Sequence, residues 1–471
     1  MNKIFLTALL ASSVLTGCTL MPNYKRPPAP TASEWPQGEA YKQPANPSQV
    51  NPAKLGWREF FQSPKLQQVI QTALENNRDL RVAALNIEAA RELYRVQRAD
   101  LLPTIDVVGS GSRQNIPENA AGLQGEGIVS QYTANIGTTA YELDLFGRVR
   151  SLNREALEQY LATEEARKTT QIALIAEVAN AYLAYLSDVK LLQLTQDTLK
   201  AQQNSYDLIQ KRFDLGVGTR LDVSQAAQTV ELARANYSVY LRRAAQDKNA
   251  LLLLMGVPSE GDLLQDVSLD EIAIMEDLPA GVPSEILLNR PDVRQAEHLL
   301  KAANANIGAA RAAFFPRISL TGSAGLASTE LSDLFKSGSG LAWSFVPQAS
   351  LPIFEGGRNL ANLGYSKAQR KIRVAEYERS IQIAFREVSD ELAARGTYAD
   401  QLQSQTALAA AAQESFNVSN ARYEQGIENY LNVLDAQRQL YAAQQDEIVV
   451  QQQRLSNLVS LYKALGGGVT E

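Results

Sequence analysis

Apolar residues recur with helical spacing over very long stretches of the chain. In the first half, a helical pattern runs from about Arg148 to Asp214, which corresponds to a rod of roughly 100 Å at about 1.5 Å per residue. From Val178 onward the apolar residues of this stretch fall at every seventh position, at Tyr185, Leu192, Leu199, Tyr206 and Phe213. After a break at Gly216-Val217-Gly218 the same spacing resumes at Val223, Val230, Tyr237, Ala244 and Leu251. A sustained seven-residue repeat predicts a left-handed coiled coil, here an antiparallel helical hairpin.

Two-residue alternation of apolar and polar residues replaces the helical spacing ahead of each long helix. It predicts strands at about 104–113 and 132–141, joined by a loop at 114–130, and at about 317–327 and 341–351. In the later pair one face is apolar and consists of Ile318, Leu320, Gly322, Ala324, Leu326, Trp343, Phe345, Pro347, Ala349 and Leu351. Each half of the chain is therefore expected to contain one β-hairpin of half-apolar strands.

The two halves of the chain are internal repeats of each other. At an offset of 213 residues Asp79-Leu80-Arg81 aligns with Asp292-Val293-Arg294, and at an offset of 210 Arg212-Phe213 aligns with Arg422-Tyr423. A repeated sequence implies a repeated structural unit. We therefore divide the chain into repeat 1 at 61–256, an equatorial linker at 257–282 and repeat 2 at 283–471.

The N-terminus has the features of an exported lipoprotein. Residues 1–17 contain a basic Lys3 and a short apolar run, which is typical of a signal peptide. Leu15-Thr16-Gly17-Cys18 is similar to a bacterial lipobox, in which Cys18 becomes the acylated mature N-terminus, and Cys18 is the only cysteine in the chain. An ordinary signal peptide with an incidental thiol is the alternative. Residues 18–60 are predicted to form an extended, lipid-anchored strap, because the stretch after Cys18 is rich in proline and polar residues.

Composition and charge exclude several classes of function. The net charge of −6 gives no basic excess, so a nucleic-acid partner has no electrostatic support. One histidine, His298, and one cysteine exclude Cys₄, Cys₂His₂ and His₃ metal sites and any Ser-His or Cys-His nucleophile pair outside position 298. Ser187 and Lys190 have the spacing of a Ser-x-x-Lys nucleophile but lack its companion motifs, and we interpret them as a chance match. We expect no enzyme activity, no metal and no cofactor.

An exported chain with strands of about ten residues, apolar on one face, suggests the wall of an outer-membrane β-barrel. Four strands are too few, because single-chain barrels have at least about eight. Three copies would supply twelve strands and six long helical hairpins. The sequence therefore predicts a mixed α/β membrane protein: a homotrimer with a 12-stranded barrel in the outer membrane, continued by a periplasmic α-helical barrel of coiled-coil hairpins.

Several motifs carry a family resemblance that covers nearly the whole mature chain. They are Pro283-Ser284-Glu285-Ile286-Leu287, Arg290-Pro291-Asp292-Val293, Phe314-Phe315-Pro316, Asp144-Leu145-Phe146-Gly147-Arg148, and the run from Leu351 to Arg358. The chain resembles the TolC-like outer-membrane factors, in their OprM-type lipoprotein branch. The resemblance implies the exit duct of a tripartite drug efflux pump. The implied partners are an inner-membrane proton-driven transporter of the RND type and a periplasmic membrane-fusion adaptor.

The resemblance also implies a gate near the tip of the second hairpin. In the family, inward residues just after the second tip turn close the bore, and Leu431 and Asp435 are four residues apart, so they share a helix face. We expect threefold symmetry to form a leucine ring beside a ring of carboxylates, with Asp222 paired to Arg422 or Arg212. The predicted gate residues are Leu431, Asp435, Arg422, Tyr423, Asn432 and Asp222. The predicted adaptor-docking turns are Gly216, Val217, Gly218 and Thr219 at the first tip and Gly426, Ile427, Glu428 and Asn429 at the second.

Two other functions remain open at this point. The same architecture could serve a type I protein secretion system, in which an ATP-driven exporter takes the place of the drug transporter. A periplasmic lipoprotein enzyme is a weaker alternative. Loss of a hydrolytic activity on replacing one His or Ser would support it, whereas planar-bilayer conductance would support a duct.

Overall fold

The computed structural model describes residues 19–42, 55–116, 127–265, 267–280, 283, 287–336 and 340–469. The predicted signal peptide, Cys18 and residues 284–286 of one family motif lie outside the described residues. The chain forms two compact units. We call the first the sheet unit, made of Met1–Pro27, Ile87–Thr163 and Gln295–Tyr377, and the second the hairpin unit, made of Pro28–Asn86, Glu164–Arg294 and Glu378–Glu471.

Eight α-helices and four strands account for most of the described chain. In order they are α1 Trp57–Phe60, α2 Pro64–Asn76, α3 Arg78–Ala99, β1 Asp106–Ile116, β2 Gly127–Leu143, α4 Arg148–Asp214, α5 Arg220–Met255, α6 Pro291–Ala312, β3 Arg317–Ser328, β4 Gly340–Ser350, α7 Arg358–Glu424 and α8 Tyr430–Ala464. Helices α4 and α7 each contain 67 residues. The order helix, hairpin, long helix and return helix occurs twice.

The four strands form one antiparallel sheet in the order β1-β2-β3-β4, so that β1 and β4 are its edges. The register places the apolar residues of the later hairpin opposite one another, with Leu320 against Pro347 and Ala324 against Trp343. Ile136 of β2 lies opposite Ala324 and continues this apolar face.

The other face of the sheet is polar. The hydroxyls of Ser323 and Ser344 lie 2.9 Å apart, and those of Ser110 and Thr133 lie 2.7 Å apart. The sheet therefore has the alternation of a wall between lipid and water.

The first hairpin is longer than the sequence predicted. Gln114 pairs with Val129 and Arg113 with Ser130, so the ladder continues through residues that we expected to form a loop. Strand β2 pairs on both sides, with β1 and with β3. The added residues, from Gly127 to Gln131 of β2, pair with β1 alone, because the register between β2 and β3 begins at Tyr132. Backbone hydrogen bonds across the hairpin therefore extend the ladder beyond the stretch in which side chains alternate.

The buried seam of helix α4 differs in part from the predicted one. Most of its predicted heptad positions are only half-buried, whereas Thr195, Gln202 and Ile209, again seven residues apart, are buried. The hydroxyl of Thr195 lies 2.8 Å from that of Tyr441. Two of the three seam residues are polar, so apolar periodicity could not reveal them. In the return helix α5 the predicted positions Val223, Val230, Ala244 and Leu251 are buried.

Equivalent contacts join the two ends of each repeat inside the hairpin unit. The amide nitrogen of Asn77 donates to the carbonyl of Leu254 at 2.9 Å, and the guanidinium of Arg290 donates to the carbonyl of Ala464 at 2.7 Å. Asn77 directly precedes α3 and Arg290 directly precedes α6, the equivalent helices of the two repeats, and Leu254 and Ala464 lie near the ends of the return helices. The internal repeat is therefore visible in individual hydrogen bonds as well as in the order of elements.

One stretch of helix α4 is long and apolar enough to cross a membrane by length and composition, and 56% of that stretch is buried inside the structure. Burial of this extent is typical of a core helix that packs on other helices. We therefore assign the membrane-facing role to the sheet.

Candidate gate and docking tips

Both helical hairpins turn through the same backbone motif. Gly216 and Gly426 adopt the left-handed conformation, with φ of 77° and 73°. The N–H of each glycine donates to the carbonyl three residues earlier, and the N–H of the next residue donates to the carbonyl five residues earlier, all at 2.9 Å. These bonds complete a Schellman motif, which satisfies the last carbonyls of a helix and favours glycine.

The return helices begin with side-chain caps of different chemistry. At the first tip the Thr219 hydroxyl accepts from the N–H of Asp222, and the Asp222 carboxylate accepts from the N–H of Thr219, each at 3.1 Å. This is a capping box. At the second tip the Asn429 side chain accepts from the N–H of Asn432 at 3.2 Å. Each turn is thus closed by a glycine on one side and a cap on the other, which gives the tips a defined shape.

An apolar cluster lies directly behind the tips and ties the two hairpins together within the hairpin unit. Its buried members come from α4, α5 and α8 and are Ile209, Val223, Ala226, Tyr430, Val433 and Leu434. Burial is the main cause that raises the pKa of the Tyr430 hydroxyl, with smaller contributions from Tyr423 and Asp222. Tyr430 therefore stays neutral over the physiological pH range.

The cations near the tips have partners that differ from the expected ones. Arg212 donates to the hydroxyl of Tyr423 at 2.9 Å and lies over its ring. Arg422 donates to the carboxylate of Glu428 at 3.2 Å, across the second turn. We expected Asp222 to pair with Arg422 or Arg212. Within the described chain its carboxylate instead accepts the hydrogen bond from the N–H of Thr219 in the capping box. Glu428 is only six residues from Arg422 in the chain, much nearer than Asp222. The sequence spacing alone did not reveal that the turn brings the two side chains together.

Leu431 and Asp435 lie on the exposed side of α8. Leu431 is 52% exposed, whereas its neighbours Val433 and Leu434 are buried in the apolar cluster. Asp435 is exposed and accepts from the side-chain amide of Gln439 at 2.6 Å. Tyr423 is half-buried against the apolar cluster. An exposed leucine next to an exposed carboxylate on one helix face is free to meet other copies of the same face.

The equivalent positions in repeat 1 have different chemistry. Leu221 aligns with Leu431, and Gln225 aligns with Asp435. The carboxylate therefore occurs in only one of the two repeats, so a trimer would contain three such groups and not six.

Within the part of the chain that the structure describes, no group of three or more His, Cys, Asp or Glu side chains is arranged to hold a metal ion. Ser187 is buried, and the amine of Lys190 donates to Asp270 at 2.7 Å. His298 lies 2.6 Å from the buried carboxylate of Glu158. The Lys190 contact joins α4 to Asp270, and the His298 contact joins α6 to α4.

A half-apolar membrane sheet together with long, capped coiled-coil hairpins defines a channel-forming outer-membrane protein. The family model for outer membrane efflux proteins matches residues 69–257 and 282–467, one segment for each repeat. The chain belongs to this family. The predicted family is thereby confirmed, and the predicted fold class is confirmed by the solved outer membrane channels that the chain resembles.

Close relatives come from Pseudomonas putida. The chain is 53% identical over 468 residues to the antibiotic efflux pump outer membrane protein ArpC and, equally, to the toluene efflux pump outer membrane protein TtgC, covering 99% of this chain and 96% of each relative. It is similar in structure to the open state of the MtrE outer membrane channel of Neisseria gonorrhoeae, with a TM-score of 0.88 and 40% identity, covering 96% of this chain and 99% of that one.

Proposed function

We propose that this protein is the outer-membrane exit duct of a tripartite drug efflux pump and that it catalyses no reaction. The observation that carries the proposal is the four-stranded sheet, which is apolar on one face and has open edges at β1 and β4. Open edges are not tolerated in lipid, because unpaired N–H and C=O groups find no water there. Three chains that pair β4 of one copy with β1 of the next close a twelve-stranded barrel.

The hairpins supply the periplasmic part of the duct. The tip turns dock a periplasmic adaptor, and an inner-membrane RND transporter supplies the energy. Leu431 and Asp435 form the constriction, with Arg422, Tyr423, Asn432 and Asp222 around it. The capped turns and the apolar cluster support the docking and gating roles of the tips. They hold the tips rigid, while the face of α8 that carries Leu431 and Asp435 stays exposed. Relatives that are named for antibiotic and toluene efflux favour drug export over protein secretion.

Conductance tests the proposal most directly. Purified, folded protein in planar lipid bilayers should open discrete ion channels, because twelve strands enclose an aqueous bore. Expression in a strain that has the adaptor and transporter but lacks its own exit duct should restore drug resistance. A correctly folded trimer that conducts no ions would contradict the duct.

The proposal includes a lipid anchor at Cys18. Two acyl chains on this residue would hold the strap at the membrane, because each buried CH₂ contributes about 0.8 kcal/mol. Metabolic labelling with palmitate should mark the protein, and Cys18→Ala should abolish the label. The trimer, at about three times 51.5 kDa less the signal peptides, should survive the change, because strand pairing closes the barrel. Continued labelling of the alanine variant would show that the acyl site lies elsewhere.

A further inference from the structure

The sheet unit shows how the two repeats join within one chain. Strand β2, the second strand of repeat 1, pairs with β3, the first strand of repeat 2. In this pairing, which we call the inner junction, Tyr141 lies opposite Leu320 and Leu143 lies opposite Ile318. The corresponding strands at the other ends of the repeats are β4 and β1, and both are edges of the sheet. One chain therefore contains one complete junction and the two separate halves of a second.

Two helices continue the inner junction beyond the sheet. Helix α4 follows β2 and helix α6 precedes β3. The side-chain amide of Asn306 on α6 donates to the carboxylate of Glu155 on α4 at 2.7 Å. On the same stretch of α4, Ser151, Glu158 and Ala162 are buried. The inner junction thus consists of a strand pair and a helix pair, and the helix pair contains a polar contact.

The counterparts of these helix positions in the other repeat are exposed. The α7 residues that lie 210 positions after the three buried α4 residues are all exposed; they are Ala361, Ala368 and Ile372. At the same offset Glu155 corresponds to Tyr365, which is 66% exposed. At the offset of 213, Asn306 corresponds to Leu93 of α3, which is 70% exposed. Because both side chains are exposed, Tyr365 and Leu93 do not cover each other within one chain.

The ends of the two edge strands show the same pattern. The repeat offsets make Leu351, directly after β4, and Val107 of β1 the counterparts of one strand pair of the inner junction. They make Ile353 and Ile105 the counterparts of the other. All four side chains are apolar and exposed, and Ile353 is 92% exposed. Contiguous exposed apolar residues mark an interaction surface, and here they lie at matched positions on two unpaired edges.

We propose that a second copy of this chain completes the open junction, in the register of the inner one. Helix α7 and strand β4 of one copy lie against α3 and β1 of the next, which forms a copy-to-copy junction. The contacting pairs, each with its second residue from the next copy, are Tyr365–Leu93, Leu351–Val107 and Ile353–Ile105. Such a head-to-tail contact closes into a ring. The inference rests on the trimer of the proposed duct and adds the register and the residues that determine it.

The two junctions differ in chemistry, which prevents one from replacing the other. The inner junction contains the hydrogen bond between Asn306 and Glu155, whereas the copy-to-copy junction has Leu93 and Tyr365 at the equivalent positions. If α3 of another copy displaced α6 from α4, the Glu155 carboxylate would lose its amide donor and lie against Leu93. Burying a carboxylate without a hydrogen bond is costly, so this wrong pairing is disfavoured.

Cysteine cross-linking of the full chain in cells tests the helix pair. Leu93→Cys with Tyr365→Cys, treated with a short bis-maleimide, should give bands of two and three chains on a denaturing gel. The matched control is Asn306→Cys with Glu155→Cys, the equivalent pair of the inner junction. It should join two peptides of the same chain and run as a monomer. The wild-type chain, whose only cysteine is Cys18, should give neither product.

Two further comparisons test the register and the chemistry. Ile105→Cys with Ile353→Cys should form a disulfide between copies on oxidation, and Ile105→Cys with Pro352→Cys should form severalfold less, because a shift of one residue moves the side chain to the other face. Tyr365→Glu should lower the yield of trimer severalfold, because it places a carboxylate against Leu93. Adding Leu93→Asn should restore the trimer, because the two changes recreate the pair of the inner junction.

Bilayer conductance of the same preparations separates failure of the junction from failure of the duct. Leu93→Cys with Tyr365→Cys that conducts ions but cross-links only as a monomer would show that the duct closes through other surfaces. Equal disulfide yields from the Ile353 and Pro352 variants would show that the register is wrong. A single Leu93→Cys variant that cross-links to the adaptor would show that the adaptor covers α3. Folded protein that neither conducts nor cross-links would contradict both the junction and the duct.

Discussion

Replacing Leu431 and Asp435 together by alanine is expected to raise the single-channel conductance of the protein severalfold. Both side chains lie on the exposed face of α8, just past the second tip turn. Three copies would place a ring of leucines beside a ring of carboxylates, and such rings limit flow by dewetting and select cations by charge. Removing both side chains widens the constriction and makes it less selective. Planar-bilayer recordings measure the conductance, and reversal potentials in a salt gradient measure the selectivity.

The equivalent pair in repeat 1 is the control for the gate. Leu221→Ala with Gln225→Ala changes the same positions in the other repeat, and Leu221 is also largely exposed. We expect this variant to conduct like the wild type and to keep its cation preference. Asp435→Asn alone should reduce cation preference with little change in conductance. If the two double variants behave alike, the constriction does not depend on Leu431 and Asp435.

Replacing Arg290 by alanine is expected to cost about 3 kcal/mol of folding free energy, at the lower end of the range for breaking a buried ion pair. Only 8% of Arg290 is exposed. Its guanidinium contacts Asp292 at 2.6 Å, Glu387 at 2.8 Å and the carbonyl of Ala464 at 2.7 Å. Burial would lower the pKa of Arg290, but these two carboxylates raise it above its ordinary value. Urea unfolding followed by circular dichroism measures the loss.

Two further variants provide reference values for the folding free energy lost in Arg290→Ala. Asn77→Ala removes the equivalent contact in repeat 1 and a helix cap on Leu80, and should cost about 1 kcal/mol. Arg386→Ala removes an arginine whose ion pair with Asp390 is largely exposed, and should cost at most about 1 kcal/mol. If Arg290→Ala unfolds at the same urea concentration as Arg386→Ala, the Arg290 network contributes no more than a surface pair.

The sequence predicted the long helices well, because their ends are local. Helix α4 spans Arg148–Asp214, the range in which helical spacing was recognised. The glycine that follows it and the threonine that caps α5 act over a few residues, so the chain carries these signals without reference to the rest of the fold. The strands of repeat 2 were predicted equally well, because each has one apolar face.

The buried residues of the α4 seam and the contacts of the strap were harder to predict from the sequence. Thr195 and Gln202 fill seam positions of α4, and their polarity hides them from a search for apolar residues. The motif at Asp144 to Arg148 was recognised only as part of a family pattern. The structure shows why position 147 is a glycine, because Thr19 lies against it and leaves no space for a side chain. Nothing in the spacing of two residues 128 positions apart indicates that they touch.

By itself, the sequence determined the elements, their repetition and the polarity of each strand face, because these depend on neighbours within one or two helical turns or across one hairpin. Only the tertiary structure decided which side chains share a contact. It joins Arg290 to Ala464, Arg212 to Tyr423 and Leu20 to Arg311. These pairs are far apart in the chain, and their proximity depends on how the long helices pack, which is the sum of many weak contacts along the helix surfaces.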